Sequence, residues 1–239
     1  TTSTPAVALP NVSPTTAAYF DDSYLFEATG KIIAFHKNED VETTETLGTH
    51  IIITDSTIFH PKGGGQPSDV GTIVSKGFAQ FTVNAVVKSA EKQIQHFGTF
   101  LREPSIDVVG TSVQFRVDET TRRLHARLHS GGHLLDTALS NIGRTDLIPT
   151  KGFHFASGPY VEYIGVIQAE DRDKLVGQVN EEVKALIAKD VQVEVKTIEN
   201  KNGGEPLRLV NVAGTECPCG GTHVKRLSDI AVSLHPNVS

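Results

Sequence analysis

The spacing of apolar residues changes near residue 118. Between about Tyr24 and Val117, short runs of β-branched and aromatic residues are separated by Gly, Asn, Asp and Ser, a pattern typical of strands joined by turns. The runs cover residues 31–35, 50–53, 81–87 and 112–117. This half of the chain is therefore predicted to form a small β-barrel.

Helical spacing dominates after residue 118. Side-chain oxygens in residues 118–121 can cap a helix that we expect to run to about residue 139, with an apolar stripe at Leu124, Leu128, Leu135 and Leu139. A second helix, at about 170–189, is predicted from the stripe Leu175, Val179, Val183, Leu186 and Ile187. The alternation of Val191, Val193 and Val195 with polar residues indicates a strand. The second half is therefore predicted to mix helices and strands, which gives an α+β fold overall.

Composition divides the chain further. Residues 1–18 are rich in Thr, Ser, Pro and Ala without periodicity, and are expected to be a flexible tail before a barrel subdomain at 19–117 and a second domain at 118–239. The hydrophobic fraction of 38% is ordinary for a globular protein. Neither a membrane span nor a secretory signal is recognisable, so a cytosolic protein is the expectation.

The net charge of -6 disfavours broad attraction to nucleic acid, because nonspecific binding comes mostly from neutralising phosphates. Any contact with RNA is expected to be local. The only cysteines, Cys217 and Cys219, are separated by one proline, so a disulfide between them would be strained. Metal binding or simple burial is the expected use of these thiols.

Histidines and a cysteine recur at metal-binding spacing. His129 and His133 are four residues apart on the predicted helix, which places both imidazoles on one face. Cys219 and His223 have the same separation, across two glycines that allow a tight turn. A thiolate with imidazoles fits zinc better than magnesium or calcium. Four protein ligands would make a closed structural site, whereas three ligands and a water would leave a position for chemistry.

Nearby residues limit this interpretation. The protease motif His-Glu-x-x-His is excluded, since Ser130 stands where the glutamate base would be. His125 lies one turn earlier on the same helical face, and we expect it not to coordinate. Cys217 is expected to be a structural thiol, because it would project differently from Cys219 in an extended segment.

Together these residues resemble a known family. Residues 129–135, His-Ser-Gly-Gly-His-Leu-Leu, and 219–224, Cys-Gly-Gly-Thr-His-Val, resemble the paired zinc motifs of alanyl-tRNA synthetase editing domains. Residues 57–71, which contain Gly63, Gly64, Gly65 and Gln66, resemble the glycine-rich motif of that module and of the free-standing AlaX proteins. Residues 151–163, with His154 and Glu162, are similar to a segment typical of AlaX. His60 departs from the pattern, because many relatives carry tyrosine there.

The resemblance spans about residues 24–232 and implies a free-standing editing protein of medium length, whose second domain is a zinc-binding editing domain. It implies hydrolysis of tRNA(Ala) mischarged with serine or glycine, assisted by one zinc ion. The implied ligands are His129, His133 and Cys219, with His223 as a fourth ligand or as the residue that holds the attacking water.

The resemblance also suggests residues that contact the substrate. Thr57 is the candidate that senses the serine hydroxyl, with Gln66 as a second polar group, and the alternative is a β-turn with a structural glutamine. Gly63, Gly64 and Gly65 are expected to let the backbone approach the terminal adenosine closely. His154 is expected near the pocket, although His154 and Glu162 are equally suited to packing or to supporting other residues.

Several cations flank the motifs. They are Arg122, Arg123, Arg127, Lys151, Lys225 and Arg226. They are candidates for contacts with phosphates of the tRNA acceptor end, with ordinary surface charge as the alternative. Two other functions stay open: a noncatalytic tRNA-binding module with structural zinc, and a zinc hydrolase of another ester or amide. A monomer is slightly favoured.

Overall fold

The computed structural model describes Ala6 and residues 11–105, 107–199 and 207–230. The described residues fall into two compact units: those up to Gly63 with those of 67–123 form the first, and Gly64–Gln66 with those from Leu124 onward form the second. The division lies at 123/124 rather than at the predicted 117/118. It also assigns Gly64, Gly65 and Gln66 to the second unit, whereas the sequence placed the whole glycine-rich motif with the barrel.

The first unit contains a closed antiparallel barrel. Its described elements are β1 (Thr16–Ala17), β2 (Glu27–Lys37), α1 (Val41–Leu47), β3 (His50–Thr54), β4 (Ser56–Thr57), β5 (Gly71–Ser75), β6 (Phe78–Lys88), β7 (Ile94–Phe100) and β8 (Ser112–Val117), with a 3-10 turn at Ala18–Phe20. The barrel order is β2-β3-β7-β6-β5-β8, and β8 pairs with β2 to close it. The predicted barrel is therefore confirmed.

Side chains fill the barrel interior. Burial alternates along β8, as expected when one face of the strand points inward. Phe81 and Phe115 are completely buried and lie in one apolar cluster with Ile32 and Ile73. The β-branched and aromatic runs that predicted the strands thus supply the core.

Order begins earlier than the composition predicts. β1 pairs in parallel with β4, and Tyr19 in the following turn is buried in the barrel cluster. Residues 16–18 therefore lie in regular structure although the predicted tail includes them, because apolar side chains next to them pack on the barrel. Residues 1–5 and 7–10 of that tail lie outside the described residues.

The second unit mixes helices with small antiparallel sheets. After α2 (Glu119–Asn141), which begins in the first unit, the described elements are β9 (Ile148–Phe153), β10 (Tyr160–Ile164), α3 (Arg172–Lys189), β11 (Glu194–Ile198), β12 (Leu207–Val212) and β13 (Thr215–Pro218), with 3-10 turns at Ala169–Asp171 and Leu227–Ile230. β9 pairs with β10, and β12 lies between β11 and β13. The predicted α+β mixture is confirmed. Within the described part of the chain, no helix is both long and apolar enough to cross a membrane.

Both predicted helices form, but the strand after α3 is shifted. α3 buries Leu175, Val179, Val183 and Leu186, four of the five residues of the predicted stripe. The strand predicted from the alternating valines begins only at Glu194, and Val191 and Val195 are each about two-fifths exposed. Asp190 causes this shift, because its left-handed conformation (φ 47°) ends α3 and turns the chain before β11.

Candidate metal centre

Four side chains of the second unit converge on one point. The ligand atoms of His129, His133, Cys219 and His223 all lie within 4.8 Å of one another. The Cys219 Sγ is 3.4 Å from His129 Nε2 and 3.2 Å from His223 Nε2. The structure therefore brings together all four residues that the sequence predicts as ligands, and the cluster can hold a metal ion.

Helical geometry and a glycine make this convergence possible. His129 and His133 are one turn apart on α2, and their rings stack with centroids 5.1 Å apart. Gly221 packs directly against His129: a Cβ on Gly221 would lie 2.1 Å from a carbon of the imidazole ring. A glycine at position 221 is thus required for the close approach of the two motifs.

Gln66 fixes the orientation of His129. Its Oε1 accepts a hydrogen bond from the backbone N–H of Thr222 (3.0 Å), so this atom is the carbonyl oxygen of the amide. The same oxygen lies 2.8 Å from His129 Nδ1, which must therefore carry the proton and donate it. His129 Nε2 is left with a lone pair directed at the cluster. Gln66 is completely buried, and its Nε2 donates to Thr222 Oγ1 (2.9 Å).

Ser130 supports His223 in the same way. Its Oγ lies 3.1 Å from His223 Nδ1 and accepts a hydrogen bond from the backbone N–H of Val224 (3.1 Å). From the sequence, Ser130 served only to exclude the His-Glu-x-x-His protease motif. In metal sites, the ring nitrogen of a ligand histidine that does not bind the metal usually forms a hydrogen bond. The position of Ser130 next to His129 on the helix was therefore the signal that could have identified it as such a partner.

His133 presents an unpaired nitrogen to the cluster. Its Nε2 is buried without a hydrogen-bond partner among the described residues, while Nδ1 faces Cys217 Sγ at 3.4 Å and Asp136 Oδ2 at 3.9 Å. Asp136 in turn accepts a hydrogen bond from the Tyr163 hydroxyl (2.5 Å). Leaving a buried nitrogen unpaired is costly, and a metal ion is the partner that this position fits.

Burial sets the electrostatics of the cluster. It lowers the pKa of His133 to about 4 and raises the pKa of the Cys219 thiol. It also raises the pKa of Cys217 to about 11, with a contribution from Cys219. A neutral imidazole is the form that binds metal, and a divalent cation stabilises the thiolate that burial disfavours. Cys217 lies outside the four-residue cluster, and so does His125, which is buried.

His154 packs against the cluster. Its ring stacks on His129 with centroids 4.4 Å apart. Three glycines make room for it: a Cβ on Gly132 or Gly152 would lie 2.5 Å from the imidazole, and one on Gly65 would lie 3.2 Å from it. Gly64 and Gly65 have positive φ angles of 56° and 78°, and the Gly65 carbonyl accepts a hydrogen bond from the His154 N–H (2.8 Å).

Thr57 and His60 lie in the first unit. The Thr57 hydroxyl is 2.8 Å from His96 Nε2, and its side chain is buried. His96 Nδ1 lies 2.9 Å from the carbonyl of Ile52, and burial lowers the pKa of His96 to about 4. His96 is therefore neutral with its proton on Nδ1, and Thr57 donates to Nε2. His60 is buried against the ring of Tyr19.

The cations that flank the motifs differ in burial and in their partners. Arg122 is completely buried: it forms an ion pair with Asp69 and donates to the carbonyls of Ser23 (2.7 Å) and Ile58 (2.5 Å). A phosphate contact by Arg122 is therefore wrong, since its donors are used inside the first unit. Arg123 covers the ring of Tyr24 at 4.3 Å.

The remaining cations lie in the second unit. Arg226 pairs with Asp190. Lys151 is exposed, with Glu162 at 3.8 Å across the β9–β10 hairpin. Arg127 and Lys225 are exposed as well.

Known proteins similar in sequence to this chain form a consistent group. A family described as tRNA synthetases class II (A) matches residues 4–121. The chain is 28% identical to the alanyl-tRNA editing protein AlaX-M of Pyrococcus horikoshii over 223 residues, which cover 92% of the chain and 89% of AlaX-M. It is 29% identical to AlaX-L of the same organism over 230 residues, 90% of the chain and 52% of AlaX-L. The chain is a homologue of the alanyl-tRNA editing proteins.

This homology confirms the resemblance predicted from the motifs. An alanine–tRNA ligase of Lachnoclostridium phytofermentans is 31% identical over 222 residues, which cover 85% of the chain but 24% of the ligase. The chain thus spans about half of AlaX-L and about a quarter of the ligase, whereas it matches most of AlaX-M.

Proposed function

We propose that this chain hydrolyses the ester bond of tRNA(Ala) mischarged with serine or glycine, using a zinc ion. The observation that carries the proposal is the convergence of three imidazoles and one thiol within 4.8 Å in a homologue of alanyl-tRNA editing proteins. The proposed partner is the acceptor end of tRNA(Ala), the proposed location is the cytoplasm, and the proposed state is a monomer.

The donor set supports zinc. Imidazole nitrogens and a thiolate are the ligands zinc prefers, and the unpaired His133 Nε2 is supplied with a partner when a metal is bound. Zinc would supply Lewis-acid chemistry that activates water at neutral pH, so no serine or cysteine nucleophile is needed. His129, His133 and Cys219 are the proposed ligands, and His223 is a fourth ligand or holds the attacking water.

The hydrogen bonds around the cluster supply orientation. Gln66 and Ser130 hold the Nδ1 atoms of His129 and His223, so that both Nε2 atoms point towards Cys219. We therefore propose that Gln66 positions a ligand rather than contacting the serine hydroxyl. His154, in contact with His129, is proposed to line the substrate side of the cluster together with Gly64 and Gly65. Gly63, in the first unit, is a proposed contact of the terminal adenosine.

Thr57 is proposed to recognise the serine hydroxyl. Because its own proton is donated to His96, its oxygen acts as an acceptor, and the N–H of Phe59 (3.1 Å) occupies one lone pair. The second lone pair suits a hydroxyl donor. Alanine lacks that donor, so alanyl-tRNA would leave the acceptor unpaired, at a cost of roughly 1–3 kcal/mol.

The number of available ligands favours one other candidate function. Four protein ligands can close a zinc site, which is the arrangement of structural zinc, and the chain would then be a noncatalytic tRNA-binding module. In that case zinc would stabilise the fold and bind no substrate.

The test is amino acid release from seryl-, glycyl- and alanyl-tRNA(Ala) by zinc-loaded protein. We expect serine or glycine to be released while alanyl-tRNA is spared, and the release to be lost in the double variant His129→Ala/His133→Ala. Folded, zinc-loaded protein that binds tRNA but releases no amino acid would favour the noncatalytic module. Equal hydrolysis of a small seryl ester and of seryl-tRNA would favour a general esterase.

A further inference from the structure

Three aromatic rings form a stack on the β9–β10 hairpin of the second unit. Phe153 stacks on Phe155 with centroids 4.4 Å apart and on Tyr160 with centroids 5.2 Å apart, both at an interplanar angle of 17°. Tyr160 lies directly opposite Phe153 in the strand register. Its side chain is 42% exposed, so the stack ends at the surface.

A cation accompanies the exposed ring. The Lys151 Nζ lies 6.0 Å from the centroid of Tyr160. Its counterion Glu162 is 3.8 Å away, and both side chains are more than half exposed, at 60% and 53%. An exposed pair of this length contributes little, so Lys151 can exchange its carboxylate for a phosphate at small cost.

The stacked phenylalanines are adjacent in sequence to a residue that contacts the candidate metal centre. His154, between Phe153 and Phe155, stacks on His129, while the two phenylalanine rings contact each other. One short segment therefore joins the aromatic stack to a proposed metal ligand within the second unit.

We propose that Tyr160 stacks an unpaired nucleobase of the single-stranded 3′ end of the tRNA, with Lys151 bound to a neighbouring phosphate. The inference rests on the proposed function for its RNA. Aromatic rings that stack bases beside a cation that contacts phosphate are the general means of binding single-stranded RNA. Such a local contact also suits a chain of net charge -6, in which broad attraction to phosphate is weak.

A tryptophan introduced into the stack provides the test, because the chain contains no tryptophan. Tyr160→Trp places one indole on the stack, and its emission reports the environment of that ring alone. We expect uncharged RNA minihelices with a single-stranded 3′ end to quench the emission. The same helix with a blunt end should leave it unchanged.

Variants in the wild-type background give the affinity. Tyr160→Ala should weaken binding of the minihelix roughly 5- to 150-fold, the range expected when one stacked base is lost. Tyr160→Phe keeps the ring and should bind as wild type. Ile164→Ala is the matched control, because it removes an exposed apolar side chain (66% exposed) from the same hairpin without removing a ring.

The outcomes separate this inference from the proposed function. If the minihelix binds or seryl-tRNA is hydrolysed, but neither the emission of Tyr160→Trp nor the affinity of Tyr160→Ala changes, the stacking inference is wrong and the hydrolase stands. If Ile164→Ala weakens binding as much as Tyr160→Ala, the hairpin acts through general apolar contact and the inference is also overturned. If no tRNA or minihelix binds the folded protein, both proposals are wrong.

Discussion

At the scale of single residues, Gln66 links the two halves of the candidate metal centre. Its amide oxygen is shared by His129 on α2 and by the backbone of Thr222 in the Cys219–His223 loop. A residue that contacts no metal thus determines which nitrogen of His129 carries the proton. Groups in this position affect metal affinity nearly as strongly as the ligands.

Gln66→Ala should lower zinc affinity about 10- to 100-fold, because His129 Nδ1 and the Thr222 N–H lose their acceptor. The measurement is competition against a chromophoric chelator. Gln66→Glu keeps an acceptor oxygen for both donors and should restore much of the affinity. Equal zinc affinity in the alanine variant and the wild type would show that Gln66 does not position His129.

Gly221→Ala should abolish metal binding while the barrel remains folded, since the added methyl group would overlap the His129 ring. Metal content measured after dialysis tests this. Gly177→Ala is the control, because nothing lies within 4 Å of a Cβ there. On α3 it should leave metal content unchanged and stabilise the helix by up to about 1 kcal/mol. A fully metal-loaded Gly221→Ala protein would contradict the close packing of Gly221 on the His129 ring.

At the scale of elements, α2 shows one prediction from the sequence that succeeded, its cap, and one that failed, its buried face. The hydrogen bond from the Thr121 N–H to Asp118 (2.7 Å) confirms the predicted cap. The leucine stripe was a poorer guide, because Leu124 is 39% exposed. The buried residues of α2 instead include Ala126, His129 and Ser130, and His129 lies against Gly221 of the site.

Other features needed long-range contacts that no local pattern shows. The four-residue spacings of the His129–His133 and Cys219–His223 pairs indicated a zinc site, and the family resemblance implied the ligand set. The tertiary partner of Gln66 was not predictable, because Thr222 is 156 residues away in the chain. The buried pair of Arg122 with Asp69 was missed for the same reason: arginine next to a motif suggests a phosphate contact until its partner is known.

Asp118→Ala should lower the free energy of unfolding by about 1 kcal/mol at pH 7, the usual cost of losing a helix cap. The hydrogen bond from Thr121 lowers the pKa of Asp118. The contribution of the cap is therefore present above the ordinary aspartate pKa of about 3.9 and is lost as the pH falls through the lower pKa of the folded state.

Urea unfolding at pH 7 and near pH 3 measures this difference. The gap between wild type and Asp118→Ala should shrink at the lower pH. Asp118→Asn, which caps without a charge, should remain close to wild type at pH 7. A gap that stays constant or grows on acidification would show that the carboxylate form of Asp118 does not cap α2.

At the scale of the whole molecule, the chain joins a barrel unit to a unit that carries the metal cluster. The residues proposed to read the amino acid and those proposed to hold zinc thus belong to different units, with Thr57 in the first and His129 in the second. With a net charge of -6, the proposed tRNA partner would be held by local contacts rather than by a broad basic surface.

The most direct test of metal-dependent editing is the rate of serine release from seryl-tRNA(Ala) before and after removal of the metal. Protein stripped by a chelator should release serine no faster than a blank, and stoichiometric zinc should restore the original rate. Cys219→Ser should respond only weakly to added zinc, because it lacks the thiolate. Unchanged serine release by protein shown to contain no metal would contradict the account.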